Sequence, residues 1–444
     1  MSEVAASGSF RHGVHPAGQK EQTEHVRLER MPFVDRYVLP LRQHGGAPSV
    51  SVVALGATVA RGQRLAEPGG FVSTSLHSPV TGSVVEISRQ RTASGELAEC
   101  MMIAADPFSS QQVATAVHDD WRSLGTEGFI DQVQRGGLVG MGGAAFPAHV
   151  KYKLPDGKRC RELVINGCEC EPYLTSDHRL MVERAEAVIA GTAILADALG
   201  AERTSIGVET NKPDAIEALR EAIPAGASIR VVPLAVKYPQ GAEKMLIKAI
   251  FGVEVPAGKL PLDLETVVNN VATMAALHDW LDHGIPLIER VVTIAGPGVD
   301  RPSNLIVPIG TPVRDVLHHC GLRNETKQVI MGGPMMGQPL ASLDVPVVKG
   351  TSGLLAFTEN VVNHPTEYAC IKCGQCLEAC GNQLNPSKLA RLARAGRLDD
   401  LERAFVLDCM ECGACTYTCP SSVPIVHLIR AAKVAVRNRK DPGS

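Results

Sequence analysis

Two stretches near the C-terminus, CIKCGQCLEAC from Cys370 and CMECGACTYTCP from Cys409, hold eight of the chain's thirteen cysteines. No other feature restricts the fold as strongly, because thiols at fixed spacing must close around a metal centre. Cys370, Cys373, Cys376 and Cys380 are spaced C-x2-C-x2-C-x3-C, and Cys409, Cys412, Cys415 and Cys419 repeat that spacing ahead of Pro420. Three thiolates at such intervals face one iron–sulfur cube, while the fourth points away to the other. The spacing therefore assigns Cys370, Cys373, Cys376 and Cys419 to one [4Fe-4S] cluster. Cys409, Cys412, Cys415 and Cys380 form the second set. Gly374 and Gly413 sit where the backbone must bend closely around sulfur. Structural zinc uses separated C-x2-C pairs with four ligands per ion, which a doubled run fits badly. Gly381 follows the first run where Pro420 follows the second, which loosens that turn without removing a ligand. Between the runs, PSKLARLARAGRLDDLERAFV reads as helical, with Leu389, Leu392, Leu398 and Leu401 as its apolar stripe. The remaining cysteines (Cys100, Cys160, Cys168, Cys170 and Cys320) show no such pattern and read mostly as packing residues.

A chain of 444 residues implies several domains. A net charge of −3 argues against a nucleic-acid partner, which calls for a basic face. No apolar run is long enough to span a bilayer, and the N-terminus lacks a signal-peptide core. The sequence thus reads as a cytoplasmic protein whose thiols are metal ligands rather than disulfides.

The middle of the chain offers something for an electron wire to serve. GLVGMGGAAFPAHVKYK begins at Gly137, and its Gly140, Gly142 and Gly143 let backbone N–H groups approach an anion. Pro147 reads as a helix start whose N-terminal end favours phosphate, with Lys151 one turn further on. RELVING, TSIGVET and ASIRVVPLAVK read as strands alternating with helices, one of them running unbroken through DHRLMVERAEAVIAGTAILADALG to Gly200. That alternation implies a largely parallel sheet with ligands at the strands' carboxyl ends. NGCECEP, YPQGAEK and VVNNVAT place polar groups at those ends. His149 reads as a solvated residue on the helix after the glycine loop.

GMGGAAFP resembles the flavin loop of the NADH-oxidising subunit of respiratory complex I, typically GRGGAGFP. NGCECEP is similar to that family's NADESEP loop at Asn166, Glu169 and Glu171. YPQGAEK resembles its Y-x-x-G-E-E segment at Tyr238, Gly241 and Glu243. VVNNVAT resembles the flavin-holding asparagine pair at Asn269, Asn270 and Thr273. The likeness implies that Gly140, Gly142, Gly143, Ala144, Lys151, Asn166, Asn269 and Asn270 hold FMN. It implies that Phe146, Glu169, Glu171 and Glu243 line the NAD(H) side. Met141 replaces an arginine and Ala242 replaces the first of two glutamates.

The order of modules resembles a narrower family, the C subunits of Rnf complexes. It rests on RHGVHPAGQKEQTEH, VLPLRQHGGAPS and RGQRLAEPGGFVSTSLHSPVTGSVVEI ahead of the flavin loop. The implied fold is multidomain α/β and α+β. An N-terminal extension (1–30) precedes a β barrel-sandwich (31–110) and a Rossmann-like α/β domain for FMN and NAD(H) (120–285). A β-grasp domain of the SLBB type (286–345), a helical two-cluster ferredoxin-like domain (360–436) and a mobile tail (437–444) follow. Residues before Arg11 also read as mobile. The sandwich turn PVTGSV lacks a carrier lysine, so this segment reads as a docking or packing module. Gly296, Gly298 and Gly310 read as turn residues of the β-grasp unit. The resemblance implies a peripheral subunit on the cytoplasmic side of the cell membrane, with integral-membrane and iron–sulfur subunits as partners and ferredoxin reached indirectly. A soluble flavin and iron–sulfur reductase, like the cobalamin reductase of propanediol-using bacteria, is the alternative. That relative lacks a sandwich ahead of the glycine loop. A wiring subunit with a decayed flavin site is a third reading.

Overall fold

The computed structural model describes residues 5–116, 120–362 and 365–440. Four folding units follow one another, each built around its own pattern of burial. Alternating apolar residues in the first hundred positions make two small sheets. One pairs Arg36–Pro40, Leu97–Ala105, Gly82–Arg91 and Thr58–Val59; the other pairs Val50–Ser51, Arg64–Glu67 and Leu76–His77. Tyr37, Leu39, Leu65, Val84, Met101 and Ile103 fill the space between them, fully buried.

The central unit is a four-stranded parallel sheet in the order Ile229–Leu234, Arg203–Glu209, Glu162–Gly167, Thr266–Asn270. Numbered along the chain this is 3-2-1-4, so the strand order reverses between Glu162–Gly167 and Thr266–Asn270. In doubly wound sheets that switch point is where ligands bind, outside the strands' carboxyl ends. The helix expected to run unbroken to Gly200 is two, Ser176–Glu183 and Ala185–Leu199. Arg184 breaks it with an extended φ of −133°, and its guanidinium forks onto Asp279 at 3.0 and 2.6 Å. Gly200, in the left-handed region, ends the second helix as the sequence predicts.

The β-grasp sheet is larger than its expected bounds. Its order is Leu28–Arg30, Ser303–Pro308, Glu289–Ala295, Gly353–Thr358, Thr326–Met331, Gln338–Pro339. A central strand thus lies beyond residue 345, and an edge strand comes from the N-terminal extension. Neither could be assigned locally, because each is defined by a partner far away in sequence. The stretch before Arg11, expected to be mobile, packs onto the protein where it is described. Gly8 bridges Leu234, Val14 bridges Tyr238, and Phe10 is buried.

In the C-terminal unit the predicted helical stretch between the cysteine runs is two helices, Pro386–Arg394 and Leu398–Arg403, separated by Gly396 at φ +63°. Leu389 and Leu401 are fully buried there, with Leu392 and Leu398 packed alongside. The last helix, Ile425–Lys440, continues past the expected boundary at 436. Residues 441–444 of the expected tail, and 1–4 of the expected N-terminal end, lie outside the described residues.

Candidate functional site

The glycine loop is pinched shut at its base and open at its tip. Val139 bridges Pro147, and the Gly140 N–H donates to the Phe146 carbonyl at 2.7 Å. Between these ends Gly142, Gly143 and Ala144 are exposed, with Gly143 at φ +107°. A Cβ on Gly143 would meet nothing within 4 Å, while one on Gly142 would stand 3.7 Å from Asn270. This is an arch of bare backbone facing the switch point. The following helix, Ala148–Tyr152, has only five residues, too few to carry the strong dipole expected of it.

Opposite the arch, the strands deliver a polar set. Asn166 and Asn270 are register partners at the ends of the first and fourth strands. Asn269 and Asn270 are both buried; the Tyr152 hydroxyl donates to Asn269 Oδ1 at 3.0 Å, and Asn269 Nδ2 has no partner among the described residues. A buried amide left without an acceptor costs free energy, so this donor fits a bound oxygen-rich group. Lys151 reaches Glu243 at 2.5 Å and the Val268 carbonyl at 3.3 Å, placing an ammonium beside the same strand end. The arch, the orphan amide and the lysine suit a flavin phosphate and ring.

Other expected residues also brace the framework. Thr273 accepts from the Met141 N–H at 3.0 Å, anchoring the arch to the helix Val271–His283. Glu169 is buried and accepts from Ser176 Oγ and from the N–H groups of Asp177 and His178, capping the helix Ser176–Glu183. Asn166 clamps two loops, donating to the Gly241 carbonyl at 2.8 Å and accepting from the Cys168 N–H at 3.0 Å. Gly241 is needed there, since a Cβ would lie 2.5 Å from the Cys168 carbonyl. Tyr238 turns toward the cysteine unit, its hydroxyl donating to the Cys412 carbonyl at 2.6 Å and lying 3.5 Å from Glu171. Burial pushes the Glu171 carboxyl up to about 7, although the Met335 N–H donates to it at 3.0 Å.

His149 is fully buried rather than solvated, its Nε2 lying 2.6 Å from the Phe71 carbonyl. Three residues escaped the sequence reading. Lys20, from the extension, donates to the carbonyls of Glu169 and Glu171 at 2.9 Å each, and to that of Leu174, holding the NGCECEP loop. Asp177 accepts from Asn270 Nδ2 at 2.6 Å, and burial followed by the Glu169 carboxylate pushes its carboxyl up. Arg290 is buried against the Met141 side chain and carbonyl, so a guanidinium lies beside the residue that replaces the resembled loop's arginine. Only the missing arginine at Met141 hinted at such a partner.

The two cysteine turns are built alike. Lys372 and Gly374 in the first, and Glu411 and Gly413 in the second, all have positive φ. Burial, then Cys412, Cys409 and Cys380, push the Cys415 thiol up to about 12. Cys380 likewise raises Cys409 and Cys412, so it stands within electrostatic reach of all three second-run thiols, and of Cys376 as well. Cys376 in turn feels Cys419. No three such groups converge on one ion among the described residues. A cube presents four separate irons to its ligands, so a wider set suits it. Gly381 has a packing reason: a Cβ would meet Met245 Sδ at 2.7 Å and the Phe10 ring at 3.3 Å. Cys100, Cys160, Cys168 and Cys320 are buried, as packing residues are.

Fold and site together define an electron-transfer flavoprotein with paired iron–sulfur centres. The chain matches the RnfC barrel sandwich hybrid domain over residues 8–107 and the Nuo51 FMN-binding domain over 133–279. It matches the SLBB domain over 291–339 and a 4Fe-4S dicluster domain over 369–424. It is 42% identical to the C subunit of the proton-translocating ferredoxin:NAD(+) oxidoreductase complex of Clostridium ljungdahlii, over 90% of this chain and 87% of that protein. It is 39% identical to the C subunit of the Na(+)-translocating ferredoxin:NAD(+) oxidoreductase complex of Acetobacterium woodii, over 98% and 99%. The chain belongs to this family of C subunits. NAD+-reducing [NiFe]-hydrogenase in its air-oxidized state shares the fold, with a TM-score of 0.51 at 19% identity over 74% of this chain and 68% of that one.

Proposed function

We propose that the chain is the peripheral NAD(H)-reactive subunit of a membrane-bound, ion-translocating ferredoxin:NAD+ oxidoreductase. One observation carries the reading: a single loop, Tyr238–Glu243, touches both the flavin-domain switch point and the second cysteine turn. Asn166 and Lys151 hold one end of that loop, and Tyr238 meets Cys412 at the other. FMN, when bound, accepts a hydride and releases its electrons one at a time. The arch at Gly140–Ala144, with Lys151, Asn166, Asn269 and Asn270, would hold it, and Phe146, Glu171 and Glu243 would border the NAD(H) side. The electrostatic grouping of thiols supports joining Cys380 to Cys409, Cys412 and Cys415, and Cys419 to Cys376, while Cys370 and Cys373 join Cys376 by spacing alone. The cluster held by Cys409, Cys412, Cys415 and Cys380 receives electrons from the flavin side. The cluster held by Cys370, Cys373, Cys376 and Cys419 passes them on, since Cys370 and Cys373 are exposed beside exposed Tyr368 and Ile371.

No helix among the described residues is long and apolar enough to cross a membrane. Ion translocation needs such a path, so integral-membrane and iron–sulfur subunits complete the enzyme, with this chain peripheral on the cytoplasmic side of the cell membrane. The test is NADH:ferricyanide reduction by the purified chain, with FMN and iron measured in parallel. Turnover with one FMN and two clusters is expected. A fully loaded protein without NADH activity would leave only a wiring role.

A further inference from the structure

The sandwich unit lies outside the flavin-bearing sheet, yet its loops are fastened to the glycine arch from several sides. Buried His149 holds the Phe71 carbonyl at 2.6 Å from within the arch's own helix. Gln134 donates to the carbonyls of Gly70, Phe71 and Ser73 at 3.1, 3.3 and 3.0 Å. The buried Lys349 ammonium links Thr74 Oγ1 and the Ser75 carbonyl to the carbonyl of Gly137, where the arch segment begins, at 3.1, 2.8 and 2.7 Å. A Cβ on Gly45 would lie 3.6 Å from the Phe146 ring. These contacts make the loops a fixed wall beside the arch rather than a loosely appended module.

On that wall one large apolar group is left in water. Phe71 is 47% exposed although its own carbonyl and that of Gly70 are held by Gln134. Its ring meets the His149 imidazole edge-on at 5.3 Å, and the Lys153 ammonium lies 4.9 Å from its centroid. Lys153 is itself exposed and forms no ion pair among the described residues. A rigid, half-exposed aromatic ring next to an unpaired cation is complementary to a flat base joined to a phosphate. Phe146 adjoins the same wall at Gly45, whose loop is tied to the residue after Phe71 by the Ala47 N–H donating to the Val72 carbonyl at 3.0 Å. A dinucleotide whose nicotinamide reached a flavin in the arch would have its other half, a purine on a diphosphate, to place along the neighbouring surface.

We propose that Phe71 and Lys153 form the subsite for the adenosine diphosphate half of NAD(H), so that the sandwich unit completes the nucleotide site. The inference rests on the NAD(H) reading above. Phe71 stacks on the purine and Lys153 turns from the ring to the diphosphate. This gives the unit a role beyond the docking or packing expected from its sequence.

The test uses the FMN- and cluster-loaded protein and two probes. ADP-ribose carries the adenosine diphosphate half without nicotinamide, and reduced nicotinamide mononucleotide carries the converse. Phe71→Ala should weaken ADP-ribose binding, measured by calorimetry, about tenfold, the scale of one aromatic stacking contact. The ratio of kcat/KM for NADH to that for the mononucleotide should fall equally, and Phe71→Trp should restore both. Lys153→Ala removes only an exposed cation and should lower ADP-ribose affinity while flattening its salt dependence. Unchanged ADP-ribose affinity in both alanine variants of a protein that oxidises NADH would overturn this subsite and leave the functional reading intact. A wild-type protein that neither oxidises NADH nor binds ADP-ribose would overturn that reading, and this subsite with it.

Discussion

The two cysteine runs share a spacing, a pair of positive-φ positions and a four-residue helix apiece, Gln375–Glu378 and Ala414–Tyr417. Their surroundings differ. Cys370 and Cys373 of the first run are exposed, whereas no thiol of the second run is. The second turn is docked: Tyr238 donates to Cys412, Lys244 pairs with Asp408 at 3.3 Å, and a Cβ on Gly413 would meet the Met335 carbonyl at 2.7 Å. A repeat in sequence thus supplies two similar ligand sets, but only packing against the flavin domain tells the inner from the outer. On the proposed reading, direction in this wire is a tertiary property.

The largest test of that contrast is Cys380→Ala. Cys380 belongs to the exposed run by sequence but to the docked thiols by electrostatics. Its loss should abolish the EPR signal of the inner cluster and leave the outer one. Loss of the outer signal alone would reverse the crossed assignment.

Glu171 tests the docked side through pH. Its carboxyl is raised from 4.5 to about 7, chiefly by burial, so the folded protein keeps the proton that the unfolded chain releases. The group therefore favours folding fully below pH 4.5, and that contribution fades as pH rises toward 7, by about 3 kcal/mol at most. Glu171→Gln should flatten the melting temperature over that window. A slope identical to wild type would assign the pH dependence elsewhere.

A smaller effect compares the residues closing each run. Gly381→Val forces a side chain against Met245 and Phe10 and should cost about 1–3 kcal/mol in thermal denaturation. Pro420→Gly, at an exposed position, should cost about 1 kcal/mol or less. Equal costs would mean that the two ends are packed alike.

What could be read in the sequence was local or periodic. Thiol spacing, the strand–helix alternation and the polar groups after each strand are all written within short windows, and the parallel sheet carries Asn166 and Asn270 side by side at its switch point. What could not be read depends on residues meeting across hundreds of positions. Lys20 acts on carbonyls about 150 residues away, and the strand Gly353–Thr358 is defined by pairing with Glu289–Ala295. Tyr238 lies in a flavin-like segment yet spends its hydroxyl on Cys412. His149 looked solvated because a five-residue helix gives too little periodicity to reveal which face is covered.

A path through Tyr238 and Cys412 requires electrons from NADH to reach the docked cluster before the exposed one. Rapid-freeze EPR after anaerobic mixing of the loaded protein with NADH measures this directly, with Cys380→Ala identifying which signal is which. The signal missing from Cys380→Ala should appear first and the other should follow. The reverse order, or reduction of neither cluster while NADH is consumed, would contradict that path.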